Sequence, residues 1–148
     1  MDFLSSLNIS GSGLTAQKLR MDVISQNIAN AEVTRTEDGS PYRRKMVVLR
    51  SIDGGNSFRE ALDKATKAIK VKTAGVQVDR VIEDQSPLVP VYNPNHPDAD
   101  EEGYVMLPNV NTAQEMIDML GASRAYEANV TAFNATKSMI MKALEIGR

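Results

Sequence analysis

The sequence predicts an α+β chain in which long N- and C-terminal helices pair as a coiled-coil-like hairpin around a central β-rich domain. Three observations carry this. All six prolines fall between residues 34 and 110, so the helical period can run unbroken only at the two ends. Apolar residues recur at heptad spacing at both ends. The middle instead holds β-branched and aromatic runs set among turn residues.

The N-terminal segment, residues 1–33, reads as helix because Leu7, Leu14, Met21 and Ile28 recur every seven residues, with Ile24 and Ala31 adding a second row. Gly11 and Gly13 weaken its first third, so a firm helix is expected from about Leu14, after a flexible or context-dependent lead-in. Residues 34–110 form the central domain, with strands expected at Tyr42–Leu49 and Gly75–Ile82. Between them Ser57 and Glu60 make a capping-box pattern ahead of Phe58, Ala61, Leu62, Ala65 and Ile69, which predicts a short inserted helix near 57–70.

Residues 111–148 read as one long helix that pairs with residues 1–33. Thr112 and Glu115 supply a capping box after Pro108, and nothing stops the helix before Gly147. Such a helix is about 50 Å long. That exceeds the roughly 40 Å diameter of a compact domain of this size, so the helix should project. Its large apolar residues, Met116, Met119, Tyr126, Val130, Phe133, Ile140 and Leu144, alternate three- and four-residue steps, with Ser123 and Lys137 as polar breaks. Ile117, Leu120, Ala125 and Ala128 lie off that seam, and a second apolar surface calls for a second partner. Gly121, Ala122 and Ser123 keep the helix thin there. Periodicity alone is equally compatible with the core of an isolated bundle.

Composition narrows the function classes. The net charge is −2, divided −1, −1 and 0 over the three segments, so no basic half is offered to nucleic acid or anionic lipid. Cysteine is absent, which excludes disulfides, thiolate metal sites and cysteine nucleophiles. The opening MDFLSSLNIS has neither a positive n-region nor a continuous apolar stretch, and no run reaches membrane-spanning length. A cleaved secretory signal and direct membrane insertion are therefore not expected.

Several local patterns suggest chemistry that their surroundings do not support. Asp98, Asp100, Glu102 and Gly103 occupy positions 1, 3, 5 and 6 of a calcium-loop pattern, but position 12 is Asn109 rather than a bidentate carboxylate, and Pro94, Pro97 and Pro108 oppose flanking helices. An acidic solvated turn is the reading adopted, with no metal. His96, the single histidine, lies between Asn95 and Pro97 in turn sequence with no nucleophile to activate. Arg43-Arg44-Lys45 reads as an exposed strand edge that resists aggregation or as a salt-bridging face between subunits, in preference to a nucleic-acid or peptidoglycan contact. Asn27, Asn30, Asn129 and Asn134 sit in helical sequence. They either fix register against a neighbouring helix or are solvated or bonded to local backbone.

One set of residues is more specific. Ser25-Gln26-Asn27-Ile28-Ala29-Asn30 resembles the S-x-N-[IL]-A-N signature of the flagellar rod and hook axial proteins. The rest resembles the proximal rod branch of that family: Tyr42-Arg43-Arg44-Lys45, Val91-Tyr92-Asn93-Pro94, His96-Pro97-Asp98-Ala99-Asp100, Gly103-Tyr104-Val105, Pro108-Asn109-Val110-Asn111 and Ser123-Arg124-Ala125-Tyr126-Glu127-Ala128-Asn129-Val130. Residues 50–85 depart from it. The resemblance implies a structural subunit of the bacterial flagellar basal body, without catalysis or cofactor, exported unprocessed through the flagellar type III apparatus and assembled in the periplasm. It would polymerise through its terminal helices, transmit torque and line the export channel. Its partners would be other copies of itself, other proximal and distal rod proteins, and the adaptor and export-gate proteins at the rod base. Its packing interface would comprise Leu7, Leu14, Met21, Ile24, Asn27, Ile28 and Asn30 on the first helix, with Met116, Met119, Leu120, Tyr126, Val130, Phe133, Ile140 and Leu144 on the last. Two other classes make different expectations: a calcium module built on residues 98–109, and a helical adaptor or chaperone that never polymerises.

Overall fold

The computed structural model describes residues 3–52 and 75–146 and shows an α+β chain: helix α1 (Phe3–Ala29), strands β1 (Lys45–Ser51), β2 (Val76–Glu83), β3 (Val89–Tyr92) and β4 (Tyr104–Leu107), and helix α2 (Thr112–Ile146). The short helix expected near 57–70 lies outside the described residues.

Helix α1 runs unbroken from Phe3 through both glycines, so the lead-in before Leu14 is helical in its tertiary context. Tertiary contact overrides intrinsic propensity here. The Ser12 hydroxyl donates to the Ile9 carbonyl at 2.7 Å and accepts the Val76 N–H at 3.0 Å, fixing this turn to the start of β2. A Cβ on Gly75 would collide with Ser12 Oγ, and one on Gly13 would come within 2.9 Å of Asn129 Oδ1. Gly13 thus lets α2 approach closely.

After α1 the chain turns through residues 30–41, where Gly39 adopts a φ of 77°, a left-handed conformation that costs glycine nothing. β1 and β2 pair antiparallel from Lys45–Glu83 to Ser51–Val76, with a register shift between Val48 and Leu49. β1 starts three residues later than the sequence suggests, because Tyr42 turns into the interior. β3 and β4 form a separate antiparallel hairpin, Val89 opposite Leu107 and Tyr92 opposite Tyr104, with the two tyrosine rings edge-on at 5.4 Å. Pro90 fits β3 because a two-stranded sheet leaves each strand one free edge.

Helix α2 spans 35 residues. Its cap is Asn111, not Thr112: the Asn111 Oδ1 accepts from the N–H groups of Ala113 and Gln114 at 3.1 and 3.2 Å. Helices α1 and α2 are antiparallel, since Asn27 meets Glu115 at one end and Gly13 meets Asn129 further along. On this spacing the start of α1 falls level with about residue 139, and the last turns of α2 project past it. Among the described residues the buried apolar ones are few: Ala16, Val23, Ile24, Tyr42, Val105 and Ala122.

The two glycines of α1 should respond oppositely to substitution. Nothing lies within 4 Å of a Cβ on Gly11, so Gly11→Ala should stabilise by about 0.5–1 kcal/mol. Gly13→Val should instead destabilise by about 1–3 kcal/mol through overpacking against Asn129. Urea unfolding of the two variants checks the pair, and equal responses would contradict the close approach.

Candidate functional site

The chain's tertiary arrangement converges on Asn27, which lies in the last turns of α1 and is wholly inaccessible to solvent, as is Glu115 on the first turn of α2. An amide offers two N–H donors and two acceptor lone pairs, and here each is used. Nδ2 donates to the Lys45 carbonyl at 2.8 Å and to Glu115 Oε2 at 2.9 Å. Oδ1 accepts from the Lys45 N–H and from the Tyr42 hydroxyl, both at 2.9 Å. Because Lys45 presents both its N–H and its carbonyl, the two ends of the amide cannot be exchanged.

Glu115 is a buried carboxylate and needs compensation. Arg44 Nε donates to Oε1 at 2.6 Å, and the same guanidinium stands 3.5 Å from Asp118 and 4.0 Å from Asp84. The Arg44 backbone N–H donates to Asn109 Oδ1 at 2.9 Å, while Asn109 Nδ2 donates to the Asp84 and Ser86 carbonyls. Arg43 Nη1 reaches the same two carbonyls, and Lys45 Nζ lies 5.6 Å over the Tyr42 ring. The basic run is thus not a free edge: its three residues tie β1 to α1, to α2 and to the turn after β2. Glu115, expected as a capping-box partner, points inward to Asn27 and Arg44.

These surroundings shift two groups. Burial, then the carboxylates of Glu115 and Glu83, holds the Tyr42 pKa above its ordinary 10.0. At Asp84, hydrogen bonds from the Ser86 hydroxyl and N–H lower the pKa below the usual carboxylate value.

Beyond this hub the α1–α2 contact differs from the expected seam. The deepest row on α2 is Glu115, Ala122, Asn129 and Thr136, at intervals of seven. Met119, Tyr126, Phe133 and Ile140 form a half-buried row beside it. The two rows together alternate steps of four and three. Of the other residues expected at the interface, Met116 and Leu144 of the seam are 60% and 66% exposed, Leu120 off the seam is 54% exposed, and Val130 is half-buried. The seam is turned by one residue toward small and polar side chains. On α1, Ile24 and Asn27 are buried, and Leu7, Leu14, Met21, Ile28 and Asn30 are half-buried. Asn30 Nδ2 donates to the Gln26 carbonyl and Asn129 Nδ2 to the Ala125 carbonyl, so both bond within their own helices.

In the acidic loop the carboxylates diverge. Asp98 Oδ2 accepts the Thr34 hydroxyl at 2.8 Å, with Arg35 at 3.9 Å. Asp100 Oδ1 accepts the N–H groups of Glu102 and Tyr104 at 3.0 and 2.8 Å. Gly103, with a φ of 83°, completes the turn. Among the described residues no group of three or more histidines and carboxylates is placed to hold a metal. His96 Nδ1 accepts the Asp98 N–H at 3.1 Å.

Sequence reasoning placed Asn27 in the signature but missed its partners Tyr42, Lys45 and Glu115, and missed that Arg44 engages Glu115 and Asn109 in turn. The available signal was a glutamate in register with Ala122 and Thr136 on the buried side of α2.

The chain is similar to a family described as flagella basal body rod protein over residues 7–35, and to the C-terminal region of the flagellar basal body rod FlgEFG proteins over residues 101–146. It is 49% identical to the flagellar basal-body rod protein FlgC of Bacillus subtilis over the full length of both chains. The FlgC protein of Borreliella burgdorferi is 46% identical over 99% of this chain and 98% of its own. That of Salmonella typhimurium is 40% identical over the whole of both. The two matched segments contain Asn27 and Glu115, the two ends of the hub.

Asn27→Ala should cost about 2–4 kcal/mol of stability by orphaning buried groups, and Asn27→Asp more, because a second carboxylate would face Glu115. Glu115→Gln, which can still accept from Asn27, should cost less than Glu115→Ala. Thermal unfolding ranks the four variants, and a neutral Asn27→Asp would refute the hub. A second outcome concerns pH. The folded pKa of Tyr42 lies above its unfolded value, so its contribution is complete below pH 10.0 and is lost as pH climbs through the raised value. Tyr42→Phe should remove that alkaline loss and cost about 1 kcal/mol at neutral pH, as measured by denaturant titration across pH.

Proposed function

The chain belongs to the FlgC family of flagellar basal-body rod proteins, and from that premise we propose that it enters the proximal rod by polymerising through α1 and α2. It is a structural rod subunit of the flagellar basal body, in a family of structural proteins and not of enzymes.

The observation that supports assembly through the helices is the outward surface of α2. Met116, Ile117, Leu120, Met139, Met141, Leu144 and Ile146 are all exposed, and the last of these lie where α2 has run past the start of α1. A single helix surface carrying this many unpaired large apolar residues is costly in water and is relieved when a neighbour covers it. The residues divide by role: Met119, Tyr126, Val130, Phe133 and Ile140 serve the intrachain pair, while Met116, Leu120 and Leu144 face neighbouring subunits. Within the chain the 115–122–129–136 and 119–126–133–140 rows supply the seam of a coiled-coil-like hairpin. The organisation into 1–33, 34–110 and 111–148 then separates inner-tube helices from an outer β-rich domain.

On this reading the helices line the export channel and the hub at Asn27 couples them to the β-rich domain, so torque passes through the chain as one body. The neighbours are other copies of the chain, proximal and distal rod proteins, and the adaptor and export-gate proteins at the rod base. Delivery is through the flagellar type III apparatus into the periplasm. No helix among the described residues is long and apolar enough to cross a membrane.

Leu120→Asp tests the assembly reading without disturbing the α1–α2 contact, because Leu120 is exposed in the single chain. The variant should unfold within about 0.5 kcal/mol of the parent. It should also fail to build rods, since burying an unpaired carboxylate at each contact costs several kcal/mol. Electron microscopy of isolated basal bodies and a swimming assay give the result. Normal motility would contradict assembly through this face.

A further inference from the structure

A cleft of about 360 Å³ opens where α1, β1 and the first turns of α2 meet, a size within the range of ligand-binding cavities. Val23 and Ile24, each 5% exposed, line it from α1, and Met46 and Leu49 line it from β1. Its charged lining is Arg20, Arg44, Lys45, Glu115 and Asp118, three cations against two carboxylates. Arg44 is committed to Glu115 at 2.6 Å and stands 3.5 Å from Asp118, and Lys45 lies over the Tyr42 ring. Arg20 is exposed and, among the described residues, joins no ion pair. The cleft therefore has an apolar lining and one uncompensated cation, and its complement is a convex apolar surface carrying a carboxylate.

The far end of α2 has that form. Met141, Leu144 and Glu145 stand at i, i+3 and i+4, so about 100° of helix surface holds all three. Met141 and Leu144 are 55% and 66% exposed, and the Glu145 side chain is 62% exposed. Glu145 pairs with Lys142 at 2.8 Å, an exposed contact of small energy that is readily exchanged. Asp118 and Leu144 lie about 39 Å apart along α2, so this end cannot fill the cleft of its own chain. We infer that the cleft receives the last turns of α2 from a second copy of the chain, with Met141 and Leu144 against its apolar lining and Glu145 paired with Arg20. This rests on the assembly reading above and names the occupant of one of its contacts. Each copy offers one cleft and one helix end, so copies pointing the same way join in an open series rather than a closed pair.

Charge exchange tests the pairing in cells. Arg20→Glu and Glu145→Arg should each lower the number of rods about tenfold, and the chain carrying both should restore it to within about twofold of the parent. All three should melt within about 3 °C of the parent, since both positions are exposed. A second arm reads the contact directly. The chain lacks cysteine, so Arg20→Cys with Glu145→Cys supplies its sole thiols. A disulfide needs Cα atoms within about 7 Å. Arg20 lies level with Ala122 on α2, about 35 Å along the helix from Glu145, so the bond forms only between copies. Oxidised basal bodies should yield chains linked in series on a non-reducing gel, and chains with either cysteine alone should remain unlinked. Normal rods from either single charge variant, no recovery in the double variant, no linked chains, or equal linking through one cysteine would each overturn the inference. If Leu120→Asp blocks assembly while Arg20→Glu assembles, only this inference falls; if Leu120→Asp also assembles, the assembly reading itself has failed.

Discussion

The two helices and the β1–β2 pair of the described structure are joined at one buried amide. Asn27 closes four hydrogen bonds at once, and no other side chain of its size supplies two donors and two acceptors in that geometry. It joins the end of α1 to the first residue of β1 and to the first turn of α2. Glu115 then recruits Arg44, whose backbone engages Asn109, and Asn109 holds the turn leaving β2. With only six apolar residues buried among those described, the arrangement does not come from a hydrophobic core alone. Directional polar contacts in a dry environment select one arrangement because every alternative strands a donor or an acceptor.

The rest of the helix pair follows a different logic. From Ala16 and Gly13 on α1 to Ala122 and Thr136 on α2, the closest approach is made by small side chains, which let the two backbones come near without large interdigitating residues. The bulkier Met119, Tyr126, Phe133 and Ile140 flank that line and are only half covered. Gln17 Oε1 is buried in α1 without a hydrogen-bond partner, a cost that the hub end of the pair does not carry. The pair is therefore firmly fixed at Asn27 and more weakly determined toward the other end, where α2 also outruns α1.

This gradient suits a subunit whose surroundings complete it. The hub makes the β-rich domain and the helix ends one unit, while the outward surface of α2 retains apolar residues that a solitary chain has no means of burying. Under the assembly proposed above, the part that sets orientation is satisfied within the chain, and the outward surface of α2 would be covered by neighbours.

Much of this was legible in the sequence. The prolines confined the long helices to the two ends, heptad spacing located α1 and α2, and β-branched and aromatic runs located β1 and β2, because these signals depend only on local geometry. The S-x-N-[IL]-A-N signature marked Asn27, and the off-seam positions Ile117 and Leu120 showed that α2 carries more apolar surface than one partner covers. What the residues could not reveal was the identity of contacts between distant segments. Periodicity weights large apolar side chains, so the seam was drawn through Met116 and Leu144, whereas the contact chose Glu115, Ala122 and Thr136. A helix packs on whatever row permits the closest approach, and the approach was set by Gly13 and Ala16 on another segment. A glutamate three residues after a threonine reads as a cap until Arg44 and Asn27, 71 and 88 residues away in sequence, are brought beside it. Local pattern determined which elements form; only the tertiary structure decided which faces meet, because that choice depends on matching donors, acceptors and volumes across elements that the sequence keeps apart.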